Sequence, residues 1–499
     1  MKKELLHLFS IVTLCLIVAS LTLPMPVRAA GTVGNGDPGS CTESALDAVL
    51  SGGGLVNFNC GPNQVTITIT NQKTISANTT MDGGNLITLD GGNTTRLFTV
   101  NAGVTLDLKA LGLTGGSASQ GGAIYNDGTV IIKDVLLTNS FAPGGTAGGI
   151  YNNGTLTITH STLSGTAASN GQAGTIYNLG ALTVANSNLS YNLAGLVGGS
   201  LYNKGTATIT SSTFEGNSGS TGGAIANSGT LTIRGSTFNA NSTVSSVGGG
   251  IYNDANLTIY TSTFSENTTY FGERGGGLFN GASGSAVIHT STFINNSAPG
   301  GYGGGIYNDG QLTVLADTFT GNSNNGGVGG GIYSSINTTT IITDSTFFNN
   351  FGGAFGGGVF TSGPTSIVNS TFYANNPSGV NNGSLDIVSI KNTILAGNTV
   401  NNCFGTITSL GNNLEDAADC SLSEQGDLSY TDPMLGPLAN NGGPTLTHAL
   451  LKGSPAINAG TNAGCPSADQ RGLPRPMLGT CDIGAYEFGF AILLPVISK

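Results

Sequence analysis

The side chains that could act as acids or bases in a reaction are few and widely spaced. Only 8% of the 499 residues are charged. Lys133 and Arg234 occupy the same position of a repeating unit described below, but about four repeats separate them, or about 19 Å at the spacing of stacked strands. The other basic residues of this region are Lys204 and Arg274. Because such dispersed groups cannot act together on one bond, we predict no catalytic residue.

The acidic and histidine residues do not complete a catalytic site either. Single acidic residues stand at turns or strand edges, where we expect them to face solvent; they are Asp134, Asp254, Asp309, Asp317 and Asp344. His160 and His289 follow predicted strands and are expected at the surface, while His448 lies near the C-terminus. No histidine accompanies a recognisable nucleophile motif.

The densest group of charges lies near the C-terminus. Its members are Asp469, Arg471, Arg475, Asp482 and Glu487. One interpretation is a catalytic cluster. The interpretation that we favour is structural, with arginine–carboxylate pairs that stabilise a C-terminal cap poor in strands.

Six of the seven cysteines form close sequential pairs, and the seventh, Cys15, lies near the N-terminus. The pairs are Cys41 with Cys60, Cys403 with Cys420, and Cys465 with Cys481. Local disulfides fit an exported protein in an oxidising compartment. Metal binding is the alternative, but no CxxC motif or neighbouring histidine accompanies the pairs. We expect no metal and no cofactor, and nothing in the sequence supports a Ca²⁺ site.

The N-terminus resembles an export signal. Lys2 and Lys3 precede a mostly apolar run over residues 5–23, and small residues follow before position 30. This order predicts a secretory signal peptide over residues 1–29, with an uncleaved membrane anchor as the alternative. No other segment reaches the roughly 18 apolar residues of a spanning helix. We therefore expect an extracellular or cell-surface protein without a membrane span after signal cleavage.

The overall charge limits the partners. The net charge is −11, and most polar residues are neutral Thr, Ser and Asn. An acidic and sparsely charged surface argues against nucleic acid or an anionic membrane as the partner.

An internal repeat determines the predicted fold. The phrase Gly-Gly-x-Ile-Tyr-Asn recurs about every 26 residues, for example at 121–126 and 248–253. Each unit continues with a turn and an alternating strand such as Thr230–Ile233, followed by a Phe and then a second Asn. Strands this short cannot bury a core alone, but stacked units can.

If each unit is one coil, identical side chains of successive coils lie over one another. We therefore predict an all-β fold, a right-handed, single-stranded parallel β-helix (a solenoid) with disulfide-linked N- and C-terminal caps. Stacked asparagines would form amide ladders and stacked phenylalanines an apolar row. The predicted ladder residues are Asn126, Asn152, Asn203, Asn227, Asn253, Asn280, Asn308, Phe214, Phe238, Phe264 and Phe319.

The predicted organisation has five parts. After the signal peptide come an N-terminal cap over residues 30–64, with a short helix at Ser44–Leu50, and the β-helix over residues 65–400. A C-terminal region over residues 401–488 follows. An apolar tail over residues 489–499 ends the chain as a sorting signal or a last strand.

Two parts of the chain resemble known families. Recurring Gly-Ala-Ile and Phe-x-x-Asn motifs, as at 223–225 and 238–241, resemble the repeats of polymorphic outer membrane proteins over residues 120–376. Those are surface proteins linked to adhesion. The motifs at 432–438, 453–460, 469–472 and 481–487 resemble the choice-of-anchor Q domain of exported bacterial β-helix proteins. The resemblance implies a surface-associated protein.

The best binding candidates lie in the variable stretches between the second Asn and the next Gly-Gly. Their aromatic and basic members are Tyr270, Phe271, Arg274, Tyr302, Phe351 and Phe355. An aromatic row at coil spacing could stack on sugar rings, or these side chains could instead fill the core of their own loops.

The predicted function is adhesion or glycan binding by a monomer. Its expected partners are extracellular glycans or surface proteins of a host or neighbouring cell. The alternative is a secreted polysaccharide lyase or glycoside hydrolase with pectate-lyase-like architecture.

Overall fold

The computed structural model describes residues 29–489. The predicted signal peptide, apart from Ala29, and residues 490–499 of the predicted tail lie outside the described residues. The described chain is all-β and winds into a right-handed parallel β-helix of about 14 coils, as predicted. Each regular coil adds one strand to each of three parallel sheets, here named sheets I, II and III.

Sheets I and II contain most of the repeated strands. The strands of sheet I are Ala29–Val33, Gly54–Phe58, Thr79–Asp82, Thr105–Lys109, Thr129–Lys133, Thr155–Thr159, Ala181–Ala185, Thr206–Thr210, Thr230–Arg234, Asn256–Tyr260, Ser285–His289, Gln311–Leu315, Thr339–Thr343, Thr365–Val368, Val388–Lys391 and Thr408–Ser409. The strands of sheet II are Lys73–Ile75, Phe98–Val100, Ile124–Asn126, Ile150–Asn152, Ile176–Asn178, Leu201–Asn203, Ile225–Asn227, Ile251–Asn253, Leu278–Asn280, Ile306–Asn308, Ile332–Ser334, Val359–Thr361, Ser378–Asn382 and Asn401–Phe404.

Sheet III and two small sheets complete the strands. Those of sheet III are Val65–Thr68, Ile87–Asp90, Gly112–Thr114, Leu136–Thr138, Thr162–Ser164, Asn188–Ser190, Thr213–Glu215, Thr237–Asn239, Thr263–Ser265, Thr292–Ile294, Thr318–Thr320, Thr346–Phe348, Thr371–Tyr373, Ile394–Ala396 and Leu414–Glu415. A short parallel sheet contains Ala167–Ala168, Leu193–Ala194, Ser218–Gly219 and Ser242–Thr243. Leu435–Ala439 and Thr447–Leu450 form an antiparallel pair.

Equivalent residues of successive coils pair in register, and this register builds the interior. Seven phenylalanines on sheet III stack with ring centroids 4.6–5.0 Å apart, and all are fully buried. They are Phe214, Phe238, Phe264, Phe293, Phe319, Phe347 and Phe372. Rings fixed at one strand spacing fill the core without voids, which is the dense packing that stabilises protein interiors.

Two asparagine ladders run along the same interior. At the ends of the sheet II strands, each amide donates to the next at 2.6–2.8 Å, from Asn126 to Asn308. After the sheet III strands, a second ladder runs from Asn192 to Asn398 with donor–acceptor distances of 2.9–3.1 Å. Every ladder amide both donates and accepts, so these buried polar groups have hydrogen-bond partners without introducing any charge.

The paired glycines before each sheet II strand have a steric cause. Gly222 has a φ of 70°, a conformation that side chains disfavour. A Cβ on Gly223 would lie 2.0 Å from the carbonyl oxygen of Gly249 in the next coil. The motif therefore requires glycine at both positions, because the turn is left-handed and adjacent backbones nearly touch.

Both ends of the coil are covered, and each end contains its own disulfides. At the N-terminus, the helix Glu43–Leu50 buries Leu46, follows a 3₁₀ turn at Pro38–Ser40 and lies beside the Cys41–Cys60 disulfide. At the other end, Cys403–Cys420 and Cys465–Cys481 are bonded. Among residues 29–489, no helix is long and apolar enough to cross a membrane.

The chain after the last coil folds back along the flank of sheet III. We call residues 430–489 the docked segment. The Gln470 amide donates to the carbonyl oxygen of Asp317 at 3.1 Å, and the Thr346 hydroxyl donates to the Gln470 side chain at 2.6 Å. The docked segment thus covers sheet III near the C-terminus and leaves sheet II uncovered there.

Candidate binding face

The central residue of each sheet II strand points outward, because side chains alternate along a strand and its two neighbours are buried. Strand register places these central residues over one another. We call this row the aromatic column. Its members are Tyr125, Tyr151, Tyr177, Tyr202, Ala226, Tyr252, Phe279, Tyr307, Tyr333, Phe360, Asn381 and Phe404.

The rings of the aromatic column stack on one another. From Tyr252 to Phe360, five rings follow at centroid distances of 4.9–5.5 Å with planes within 10° of parallel. A second stack joins Tyr125, Tyr151 and Tyr177. Because stacked rings cover each other's faces, they offer solvent their edges and, in the tyrosines, their hydroxyl groups.

The tyrosine hydroxyls of this column are hydrogen-bond donors at neutral pH. Burial raises the pKa of Tyr252, Tyr307 and Tyr333, although the nearby Arg274 partly opposes the shift at the last two. A phenol with a raised pKa stays protonated. The tyrosines of the column therefore carry neutral O–H groups, and Phe279 and Phe360 interrupt this line of donors.

Arg274 is the basic group at the centre of the face. Its guanidinium carbon lies 5.1 Å from the centroid of the Tyr307 ring, and Nη1 donates to the Tyr307 hydroxyl at 3.3 Å. It also lies 5.9 Å from the Tyr302 ring centroid. The cation is thus held against two aromatic rings.

Three of the six predicted binding residues lie beside the aromatic column. Arg274, Tyr302 and Phe355 belong to one row that passes through Val328 and immediately precedes the glycines of sheet II. The Tyr302 ring lies 4.9 Å from that of Tyr333, tilted by 59°. The structure therefore brings this row together with the column into one surface.

The other three predicted residues lie elsewhere on the same edge. Tyr270 and Phe271 stand at a loop tip, 62% and 73% exposed, and Phe271 lies over Gly300 of the next coil. Phe351 is half-buried and belongs to a different row, between Ser323 and Asn376. The six residues therefore do not form one continuous line.

Isolated charges of both signs flank the aromatic column. Asp127, Asp254 and Asp309 each directly follow the ladder asparagine. At the N-terminal end, the Asn153 amide donates to Asp127 at 2.7 Å and to the Tyr125 hydroxyl at 3.2 Å. Because the acids are two or more coils apart, this flank is polar without forming a paired-carboxylate site.

Two acidic residues were expected at the surface, and this expectation is wrong. Asp317 is 0% exposed and accepts backbone N–H groups of Ser291 at 2.5 Å and Leu315 at 2.9 Å. It stands where neighbouring coils carry a serine. Asp344 is 2% exposed beneath the docked segment, with an oxygen 3.4 Å from Arg475 Nη2. Burial raises the pKa of both carboxyl groups, that of Asp344 to about 8.

The C-terminal charge group is a buried network within the docked segment. Arg471 pairs with Asp469 at 2.7 Å, and Arg475 lies 3.5 Å from Glu487. The carboxylates also accept backbone N–H groups, as Glu487 does from Asp482 at 3.0 Å. All five predicted members are less than 9% exposed, so they hold a chain segment in place and offer no open site.

Two further bases lie against the N-terminal part of the aromatic column. Lys204 Nζ is 5.8 Å from the Tyr202 ring centroid, and the Arg96 guanidinium carbon is 5.3 Å from that of Tyr125.

The other bases and the histidines lie elsewhere. Lys133 and Arg234 end strands of sheet I, and Arg234 stacks on the Tyr260 ring with its guanidinium carbon 3.8 Å from the centroid. His160 is exposed and His289 half-buried. In the described part of the chain, no three His, Cys, Asp or Glu side chains are arranged to hold a metal ion.

Sequence reasoning missed the rings that build the face. Tyr307, Tyr333 and Phe360 belong to the repeated Ile-Tyr-Asn phrase, which served only as a marker of the repeat. The signal was available, because a residue between a buried Ile and a buried Asn in a strand must point outward.

Comparison with known proteins supports the fold. Residues 175–331 match the family model described as the right handed beta helix region. No curated protein and no solved structure matches the chain.

Proposed function

We propose that this is an exported surface protein that binds an extended glycan along the aromatic column without cleaving it. The observation that carries the proposal is the five-ring stack from Tyr252 to Phe360, with Arg274 bound at its centre. The stack is a long, rigid line of rings on a sheet that the docked segment does not cover; Tyr252, Tyr333 and Phe360 are half-buried, while Phe279 and Tyr307 are buried between them.

The periodicity of the face suits a repeating ligand. Where tyrosines occupy adjacent coils, as Tyr307 and Tyr333 do, their ring centroids lie 5.0 Å apart, comparable to the advance of an extended β-linked polysaccharide per sugar. Rings that are not stacked offer their faces to the apolar side of a pyranose. Tyr302 is tilted, and Tyr202 stands at 81° to Tyr177.

Binding fits the face better than cleavage. Hydrolysis of a glycosidic bond uses two carboxyl groups on either side of that bond, and the acids that flank the column are single and lie on one side. The likeness to pectate-lyase-like architecture is one of fold and does not determine activity. The lyase or hydrolase alternative therefore has weaker support.

Export rests on the sequence of residues 1–29 and fits the three disulfides, since such bonds persist in oxidising compartments. The resemblances to polymorphic outer membrane proteins and to the choice-of-anchor Q domain add a surface location and an adhesive role to the proposal. On this view, the glycan belongs to a host or neighbouring cell.

A glycan array followed by calorimetry on the best ligand tests the proposal. The Tyr307→Ala/Tyr333→Ala variant should lower affinity at least about tenfold, because two stacked rings are lost from the centre of the face. The matched control is Tyr260→Ala, which removes a tyrosine from sheet I and should leave affinity unchanged.

Equal affinity of the double variant and the wild type would contradict the proposal. Product analysis on the same glycans separates the two functions. New reducing ends or unsaturated sugars would support the enzymatic alternative instead.

A further inference from the structure

The aromatic column is interrupted twice, and the two interruptions differ. At Ala226 the small side chain is only 1% exposed, so its surroundings close over it. At Asn381, between Phe360 and Phe404, a cavity of about 190 Å³ lies against the face. The second interruption thus leaves room where a ring would continue the column.

The cavity has mostly apolar walls and no charged side chain. It is lined chiefly by Phe355, Pro377, Ser378, Asn381, Val400 and Phe404. The Phe355 and Phe404 rings lie 5.9 Å apart at its edge, and Val400 is 65% exposed there. A neutral group therefore fits this space, and an ammonium or carboxylate group would lose its hydration without gaining a partner.

Asn381 is one of three polar residues that line the cavity, with Ser378 and Asn401. It is 2% exposed, and its side-chain amide makes no hydrogen bond to any described residue. Most buried amides of the coil have partners. Asn350, for example, donates to both Asn375 and Phe319, whereas both side-chain polar atoms of Asn324 lack one. The Ser378 hydroxyl, which also lines the cavity, is buried without a hydrogen-bond partner among the described residues. Polar groups left unpaired beside one cavity indicate a ligand that completes them.

We propose that this cavity binds the acetamido group of an N-acetylated sugar at the end of the bound glycan. An acetamido group offers one N–H and one C=O, which pair with the acceptor and donor of the Asn381 amide. Its methyl group contacts the apolar wall formed by Phe355 and Val400. The inference rests on the proposed function, because the aromatic column delivers the glycan to the cavity.

Titration with two monosaccharides tests the cavity directly. The probes are methyl N-acetyl-β-glucosaminide and methyl β-glucoside, observed by ligand-detected NMR on the full-length protein. The wild type should bind the acetylated sugar at least about tenfold more tightly. This ratio is what one or two neutral hydrogen bonds and a buried methyl group would produce. Asn381→Leu, which keeps the volume and removes the amide, should abolish the preference.

Val400→Trp changes an exposed residue at the cavity edge and should also abolish the preference by filling the space. Asn256→Leu, an exposed position on sheet I away from the column, is the matched control and should retain it. Equal affinity of the wild type for the two sugars would overturn the inference. The monosaccharide preference should survive in Tyr307→Ala/Tyr333→Ala. The column proposal is tested separately, by the glycan affinity of that variant.

Discussion

The repeated coils and the docked segment bury polar groups in opposite ways. Inside the coils, asparagines of successive repeats donate to one another in two long ladders of neutral amides. In the docked segment, Asp469, Arg471 and Glu487 occur once each and form ion pairs or accept backbone N–H groups. Repetition supplies each amide with an identical partner one coil away, whereas a segment without repeats needs specific charged pairs.

The two solutions respond differently to pH. Neutral amides do not titrate. In the network beneath the docked segment, burial raises the pKa of Asp344 to about 8 and that of Asp482 to about 6. The amide ladders should therefore add no pH dependence to stability, while attachment of the docked segment should depend on pH.

The comparison also locates the functional surface. One strand spacing orders the phenylalanines inside and the tyrosines outside, but only outer rings such as the half-buried Tyr252 and Tyr333 reach solvent. The docked segment covers sheet III near the C-terminus, so the aromatic column on sheet II stays partly exposed. The same stacking thus stabilises the coil on one face and presents a binding surface on another.

The largest expected effect comes from breaking the interior row. Phe264→Ala removes a fully buried ring between Phe238 and Phe293 and should lower the free energy of unfolding by about 3–5 kcal/mol. Thermal and chemical denaturation measure the loss.

The matched change on the outer column is Tyr252→Ala, in nearly the same coil. This half-buried ring stacks only on Phe279, so the expected loss is about 1 kcal/mol. Similar losses for the two variants would contradict the division between a stabilising interior row and an exposed outer one.

The repeated coils could be predicted from the sequence because the repeat itself states which residues are neighbours. Once Asn227 and Asn253 are recognised as equivalent, their contact one coil apart follows from strand spacing. The disulfides within each end of the coil were predictable as well, because the two cysteines of each pair are close in sequence. Predicting that the Tyr307 side chain points outward required one further step, the alternation of side chains within a strand.

The docked segment could not be predicted in this way. The contact of Gln470 with Thr318 joins residues 152 positions apart, and no repeat marks it. For that reason Asp344 was expected at the surface. Its position at a turn, with a φ of 48°, was consistent with exposure, and only the distant chain that covers it buries the carboxyl group.

A smaller and pH-dependent effect is expected from Asp344→Asn. Because the folded-state pKa of Asp344 is raised from 3.8 to about 8, the folded protein binds its proton more tightly than the unfolded chain does. The stability that this carboxyl group contributes is present at low pH and is lost as pH rises from about 4 to 8. The uncharged variant should exceed the stability of the wild type by a small margin at pH 5 and by on the order of 2 kcal/mol more at pH 9.

Unfolding followed at several pH values measures this difference. Arg475, which opposes the shift, and Asp469 and Glu487, which add to it, remain unchanged in the variant. The control is Asn267→Ala in the neutral ladder, whose loss of stability should be the same at pH 5 and pH 9. A pH-independent difference for Asp344→Asn would contradict the contrast between the two regions.

The smallest expected effect comes from completing the outer column with Ala226→Tyr. Ala226 pairs in register with Tyr202 and Tyr252, so a ring there would stack between them. Two added ring contacts should stabilise the fold by about 0.5–1.5 kcal/mol, less than any interior change because the ring stays partly in water. Since Ala226 is now covered, Tyr202 must turn from its perpendicular orientation to admit the ring. A raised melting temperature would show that outer stacking is favourable in itself, and a lowered one would show that Tyr202 already uses that space better than a continuous column would.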